Sequence, residues 1–348
     1  MSYADVVFKE NCKDILANGT DTQGQEVRPH WPDGASAYTI KKFGVCNRYD
    51  LRKEFPLMTL RRTGIKSATD EVLWIWQRKS NNIHDLNSSI WDEWADPDGS
   101  INAAYGYQAG VKNVYKDINE VKLLKAFPNL IPYEVVYSKD DYCKSVYYLD
   151  KRGVNKINEN TDIEEIRKNA HAIYEQNPEE SYWLMDQVDK ALYDLKLTPF
   201  SRRIMLTTWN VSDLHDMNLE PCAYSITFNV TDDKREDGKL TLNAILNQRS
   251  QDMLAANNWN IAQYSVLLMM FAQVVGMIPG EIVHMIADCH IYDRHVPMIQ
   301  ELIGRKEYPA PKVTLNPEIK DFYDFTPDDV YIEGYEHGEQ IKDIPIAI

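Results

Sequence analysis

Residues 220–250 read EPCAYSITFNVTDDKREDGKLTLNAILNQRS, and this stretch decides the fold. Ala223 to Val230 and Leu240 to Asn247 are strand-like runs, rich in branched and aromatic side chains. Between them, Thr231-Asp-Asp-Lys-Arg-Glu-Asp-Gly238 is a polar loop of the kind that joins a hairpin. Upstream, Arg203 to Trp209 supplies a third run. Downstream, an apolar stretch around Tyr264 to Ile278, interrupted by Gln273 and closed by Pro279-Gly280, reads as a buried helix, and Glu281 to Ile291 follows as another strand. Towards the N-terminus, Val6, Phe8, Cys12, Ile15 and Leu16 fall at roughly helical spacing over residues 2–17, and Gly19 ends the stretch. A strand over Tyr38 to Arg48 and a helix from about Lys66 to Gln77 come next. Strands and helices do not alternate regularly enough for a doubly wound parallel sheet, so the class is α+β. There is no internal repeat and no Gly-rich phosphate loop.

The texture changes from about residue 112 to residue 180. Charged and Asn-rich stretches alternate there with short apolar pieces such as Val146-Tyr147-Tyr148-Leu149. A polar helix over about Asp162 to Glu175 leads into a better one, Met185 to Leu197. The expectation is one domain over residues 1–348, carrying an insertion at about 112–180, with the core resuming near Asp186. The 348 residues suffice for a substantial core. A net charge of -15 argues against a broad basic surface that wraps DNA, though not against a small anionic substrate met by a few arginines. The five cysteines have no paired spacing, as expected of a reduced, cytoplasmic protein, and no histidine or cysteine cluster suggests a metal. The N-terminal Met1-Ser-Tyr-Ala-Asp lacks the regions of a signal peptide, and the longest apolar run is too short to span a bilayer.

Pro221-Cys222 lies between an acidic turn and a strand. A lone cysteine is most often a buried small hydrophobe, but this one keeps informative company. Ser201-Arg202-Arg203 precedes one strand and Gln248-Arg249-Ser250 ends another. Each arginine group alone reads as a solvated strand end. Two such groups flanking a cysteine strand point to a phosphate site, because guanidinium forks bind phosphate oxygens bidentately. A neighbouring arginine is also expected to lower the cysteine pKa. Glu71 sits in a helix among Val72, Leu73, Trp74, Ile75 and Trp76. It is either an exposed position or, facing a cleft, a carboxylate whose raised pKa suits it to proton relay. His290 and Tyr292 alternate along a strand and share a face, while Cys289 points the other way and is expected to be packing.

In order along the chain stand Phe55-Pro-Leu-Met-Thr, Ile90-Trp-Asp-Glu-Trp-Ala95, Tyr105-Gly-Tyr-Gln108, Ser201-Arg-Arg203, Trp209-Asn210, Glu220-Pro-Cys222, Gln248-Arg-Ser-Gln-Asp252, Trp259-Asn-Ile-Ala262, His290-Ile-Tyr292 and Ile344-Pro-Ile-Ala-Ile348. This ordered series resembles thymidylate synthase over nearly the whole chain outside the insertion. The resemblance implies a mixed β-sheet covered by helices and paired sheet-to-sheet in an obligate homodimer. It also implies reductive methylation of dUMP to dTMP, with 5,10-methylenetetrahydrofolate as cosubstrate and donor of both carbon and hydride. By that resemblance Cys222 adds to C6 of the uracil, Glu71 organises proton transfers, Tyr105 assists removal of the C5 proton, and Asn260 pairs with N3 and O4. Arg28, Gln248, Arg249 and Ser250, with Arg202 and Arg203 from the other subunit, belong to the nucleotide site, and His290 and Tyr292 contact the sugar. Ile90, Trp91, Trp94, Asp252 and Trp259 belong to the folate site, which Ile348 closes against water.

Three departures stand out. Ala223 replaces the usual His after the nucleophile, the loop before Asn260 reads Ala256-Asn-Asn-Trp-Asn260, and Ala287 replaces a Gly; all are expected beside O4 or the folate wall. The nearest alternative is a dUMP hydroxymethylase, in which water captures the methylene; Trp91 and the C-terminal motif argue for a dry site. A non-catalytic nucleotide- or RNA-binding protein on the same fold would be marked by loss of Cys222, Glu71 or the tail, and all three are present. Binding to its own mRNA stays open without a feature that points to it.

Overall fold

The computed structural model describes residues 1–115, 130–132, 135–136, 148–150 and 181–348. They divide into two compact units, one of Met1–Ala109 with Arg202–Ile348 and one of Gly110–Ser201.

The first unit is built on a six-stranded sheet. Its strands are β1 (Thr20–Asp21), β2 (Thr39–Asp50), β3 (Met205–Thr207), β4 (Ala223–Thr231), β5 (Thr241–Asp252) and β6 (Ile278–Tyr292), in the order β1-β2-β6-β5-β4-β3. β5 and β6 run parallel and the other neighbours antiparallel. The hairpin expected around the polar loop is present, with Thr231 opposite Thr241. Four longer helices are added: α1 (Tyr3–Asn18), α2 (Ile65–Trp76), α3 (Asn257–Val275) and α4 (Val296–Gly304). Mixed sheet plus helices is the α+β architecture that the sequence suggests.

Two boundaries differ in an instructive way. β5 does not stop at Asn247 but continues through Gln248, Arg249 and Ser250 to Asp252, so the polar cluster lies inside the ladder. Pro279-Gly280 does not break the chain either; both residues belong to β6. Pro279 pairs with Leu242 at the end of the ladder, and a Cβ on Gly280 would meet Asn243 Oδ1 at 2.2 Å, so any larger residue would displace the Asn243 side chain.

α1 sends Phe8, Cys12 and Ile15 into a buried cluster with Cys289 and Ile291 of β6 and Ile299 and Leu302 of α4. Their spacing of roughly one helical turn places them on one face. α3 is apolar nearly all round and mostly buried, with Leu267, Leu268 and Phe271 shut off from solvent. Truncating any of these to Ala is expected to cost about 2–5 kcal/mol. β5 and β6 pack against α3, which carries Asn260, and α3 packs in turn against α2, which carries Glu71.

Within the second unit, Asn113–Tyr115, Ser181–Met185 and Val135–Val136 form one small sheet, and Leu130–Pro132 pairs with Tyr148–Asp150. A helix over Gln187–Leu197 is capped by the buried Asp186, which accepts from the N–H groups of Val188 and Asp189 and pairs with Lys112 at 2.7 Å. The polar helix expected over Asp162 to Glu175 lies outside the described residues, as do Val146 and Tyr147 of the expected apolar piece.

Candidate active site

Cys222 immediately precedes β4, and its position is fixed from two sides. Arg249 N–H donates to the Cys222 carbonyl at 2.9 Å, and the Cys222 N–H donates to Tyr105 Oη at 3.0 Å. The Arg249 side chain folds back on the same turn, donating through Nε to the Pro221 carbonyl (3.1 Å) and through Nη2 to the Glu220 carbonyl (2.6 Å). A guanidinium is thereby immobilised beside the sulfur. Burial nonetheless pushes the Cys222 thiol up, against the lowering influence of Arg249, of a hydrogen bond from Tyr105, and of Arg28. The arginine does act in the expected direction, but desolvation outweighs it.

Tyr105 has a left-handed backbone (φ 42°), uncommon for so bulky a residue, and its ring stands edge-on to Trp91 at 4.9 Å. The next residue must be glycine: a Cβ on Gly106 would lie 1.9 Å from the Ser80 carbonyl oxygen.

An amide cluster lies across the cleft. Gln248 Nε2 donates to the Ser250 carbonyl at 2.9 Å and to Asn260 Oδ1 at 3.1 Å, and Asn260 Nδ2 donates to Gln263 Oε1 at 3.2 Å. Glu71 is only 6% exposed and accepts from Trp259 Nε1 at 2.8 Å. Burial pushes its carboxyl up to about 7 despite that hydrogen bond, so the group changes charge near neutrality.

The remaining wall combines Ile90, Trp91, Trp94 and Trp259 with one carboxylate, Asp252. Burial alone would raise Asp252, but His295 and His290 and the Ala255 N–H hold it below its ordinary value. His295 in turn lies 3.5 Å from Asp252 through Nδ1 and donates through Nε2 to the Pro345 carbonyl at 2.8 Å. Ile348 exchanges two backbone hydrogen bonds with His30, at 2.8 and 2.9 Å, and so pins the tail to the loop that bears Arg28. Cys222, Arg249, Tyr105, Glu71, Asn260 and Asp252 line one cleft of about 470 Å³.

The chain matches the family profile described as thymidylate synthase over residues 6–347. It is 33% identical to a thymidylate synthase of Bacillus subtilis subsp. natto over 345 residues, 98% of each chain, and 34% identical to one of Bacillus licheniformis over the same coverage. The solved thermostable thymidylate synthase A from Bacillus subtilis superposes with a TM-score of 0.75, at 32% identity, over 100% of both chains. The chain belongs to the thymidylate synthase family. As a thymidylate synthase it is a methyltransferase that converts dUMP to dTMP with 5,10-methylenetetrahydrofolate. The hydroxymethylase alternative finds no support in these matches.

The synthase cleft gathers most of the residues singled out in the sequence. Arg28, Glu71, Ile90, Trp91, Trp94, Tyr105, Cys222, Gln248, Arg249, Ser250, Asp252, Trp259, Asn260, His290 and Tyr292 all line it. Arg202 and Arg203 do not; both are exposed outside it. Ile348 does not line it either, its place being taken by Ile346 and Ala347. Of the three departures, Ala223 and Ala256 face the cleft. Ala287 does not: like Met285, two residues before it on β6, it is exposed, so the expectation that it touches the pocket is corrected. Sequence reasoning missed Arg61, Gln263 and Asn258. Arg61 is buried and donates to the Leu254 carbonyl and to Asn258 Oδ1. Gln263 follows Asn260 by three residues on α3, a spacing that could have revealed it.

Proposed function

We propose that Cys222 is the nucleophile of this synthase. The observation that carries the reading is a half-buried cysteine with Arg249 and Tyr105 fixed on either side, facing Asn260 and Glu71 across one cleft. In this reading Arg249, Ser250 and Arg28 draw in the 5′-phosphate, and the sulfur gives up its proton to solvent, with the charges of Arg249 and Arg28 favouring the thiolate. The thiolate forms a bond to C6 of the uracil, and the C5–C6 π electrons move on to C5 and O4. Asn260 offers one acceptor to N3–H and one donor to O4, which steadies the charge on that oxygen. The folate supplies the one-carbon unit and the hydride. Glu71, titrating near neutrality, holds the proton exchanged with the O4 edge, and Tyr105 Oη stands near C5, where a proton must leave before the Cys222–C6 bond breaks. His290, held by Asp288 at 2.8 Å, and Tyr292 meet the sugar. Trp91, Trp94, Ile346 and Ala347 keep water out.

The same reading makes the enzyme a sheet-to-sheet homodimer. In register across the sheet, Met205, Thr227, Ile245 and Val283 share one face, as do Asn247 and Met285 in the next row. Met205, Ile245 and Met285 are 52, 43 and 38% exposed, an uncovered apolar face that favours a second copy. Arg202 and Arg203, just before β3 and outside their own cleft, then serve the partner's phosphate. The reading further keeps the chain as one synthase domain with an insertion at about 112–180, in a reducing cytoplasm and without DNA as a partner. Among the described residues no helix is long and apolar enough to cross a membrane.

Product analysis by mass spectrometry tests the nucleophile. The wild type should yield dTMP with stoichiometric dihydrofolate, and Cys222→Ser should yield neither while binding dUMP within about threefold of wild type. Turnover surviving in Cys222→Ser would overturn the assignment.

A further inference from the structure

Behind Gln248, on the neighbouring parallel strand β6, lies His284, an imidazole with no exposure to solvent. Its register neighbours are Leu246 on β5 and Asn47 on β2. Its Nε2 is 2.8 Å from Gln248 Oε1, and its Nδ1 has no hydrogen-bond partner. Burial lowers its pKa to about 3, so the ring is neutral and one nitrogen alone carries a proton.

The hydrogen bonds identify that nitrogen. Gln248 Nε2 is committed to the Ser250 carbonyl, and a carbonyl can only accept. The oxygen end of Gln248 therefore faces the ring, and the ring must present Nε2–H. The same Gln248 amide group donates to Asn260 Oδ1, which leaves Asn260 Nδ2 to donate. A chain of donors thus runs from a sealed histidine to the amide in the cleft, and each link has only one permitted direction.

Direction matters because a carboxamide has nearly the same shape either way round. Uracil presents N3–H and the O4 acceptor, whereas cytosine presents the N3 acceptor and an amino donor. An asparagine turned by half a rotation would read the second pattern as well as it reads the first. We propose that His284 is a positioning residue for substrate choice: by donating to Gln248 it locks the Asn260 carboxamide in the orientation that reads uracil and refuses cytosine. This rests on Asn260 being the base-reading amide, as proposed above.

The test compares dissociation constants for dUMP and dCMP, by calorimetry, in wild type, His284→Phe, His284→Gln and Asn260→Asp, with thermal unfolding as the check on folding. His284→Phe keeps a flat ring without the donor. It should lower the preference for dUMP over dCMP about tenfold, mainly by weakening dUMP. His284→Gln, whose amide nitrogen reaches close to the place of Nε2, should restore most of the preference. A role in packing alone would weaken both nucleotides alike and leave the ratio unchanged, and that result overturns the proposal. Asn260→Asp separates the two readings. If it shifts binding towards dCMP while His284→Phe does not, only the proposal for His284 falls. If it leaves the ratio unchanged, the assignment of Asn260 falls first. Should the phenylalanine variant not fold, nitrogen-15 spectra of histidine-labelled wild type decide the matter: a proton on Nε2 is expected, and one on Nδ1 refutes the chain of donors.

Discussion

Glu71→Gln should stabilise the enzyme at high pH and leave its stability nearly unchanged at low pH. Burial lifts the carboxyl from its ordinary value of 4.5 to about 7. The sign follows from proton binding. Between those values the folded state holds a proton that the unfolded chain has released, so stability falls as pH rises, and the penalty is complete above about 7. At about 1.4 kcal/mol per pH unit, a shift from 4.5 to about 7 amounts to about 3 kcal/mol. Glutamine mimics the protonated carboxyl in shape and keeps an oxygen for Trp259 Nε1, so it escapes the penalty. The assay is urea unfolding of wild type and variant at pH 5 and pH 8.5, at matched protein concentration. The difference in unfolding free energy should grow from about 1 to about 3 kcal/mol in favour of the variant, while turnover is lost. A difference that does not change with pH would refute the claim that a charged carboxylate is being forced into a dry cleft.

Asn260→Asp should shift binding and turnover from dUMP towards dCMP, since a carboxylate cannot donate to O4; kcat/KM for the two nucleotides decides. Met285→Lys, at the centre of the uncovered sheet face, should yield monomers by light scattering and a loss of turnover of more than about tenfold. His295→Asn should lower Tm most at pH 5 to 6 and progressively less towards pH 9. Burial opposes the protonated ring but Asp252 more than compensates, so His295 titrates above its ordinary 6.5 while Asp252 titrates below its own 3.8. The contact is therefore complete between those ordinary values, and it fades as pH rises through the folded value of His295 or falls through that of Asp252.

The parts of this molecule that announce themselves in sequence are those where one residue type leaves little choice. The hairpin flanking Thr231 to Gly238 was legible because alternation and polarity change together. The Cys222, Arg249 and Asp252 cluster was legible through its ordered motifs. What escaped depends on depth. Nothing local says that Arg61 lies beneath Leu254 and Asn258, because the Arg61-Arg62 pair after an apolar run reads as surface. The direction of the Cys222 shift went the same way: the arginine was visible, but the desolvation that outweighs it is a property of the folded cleft. β5 seemed to end at Asn247 because polar side chains usually mark strand ends, whereas here the cleft faces the strand itself. His284 interrupts the apolar positions Ile282 and Ile286 on β6, and that interruption was the available signal.

The cleft draws its two sides from regions held with very different strength. Gln248, Ser250, Asp252 and His290 sit on the paired central strands of the sheet. Their amides should exchange with solvent deuterium only when the whole molecule opens. Ile346 and Ala347, opposite them, belong to a tail held by Pro345 on His295, by Ile348 on His30, and by partial burial of Ile341 and Ile344. Such a segment detaches at a fraction of the global free energy. Mild denaturant should therefore silence the enzyme well before it melts the sheet, with the nucleotide's seat still assembled beneath an open roof.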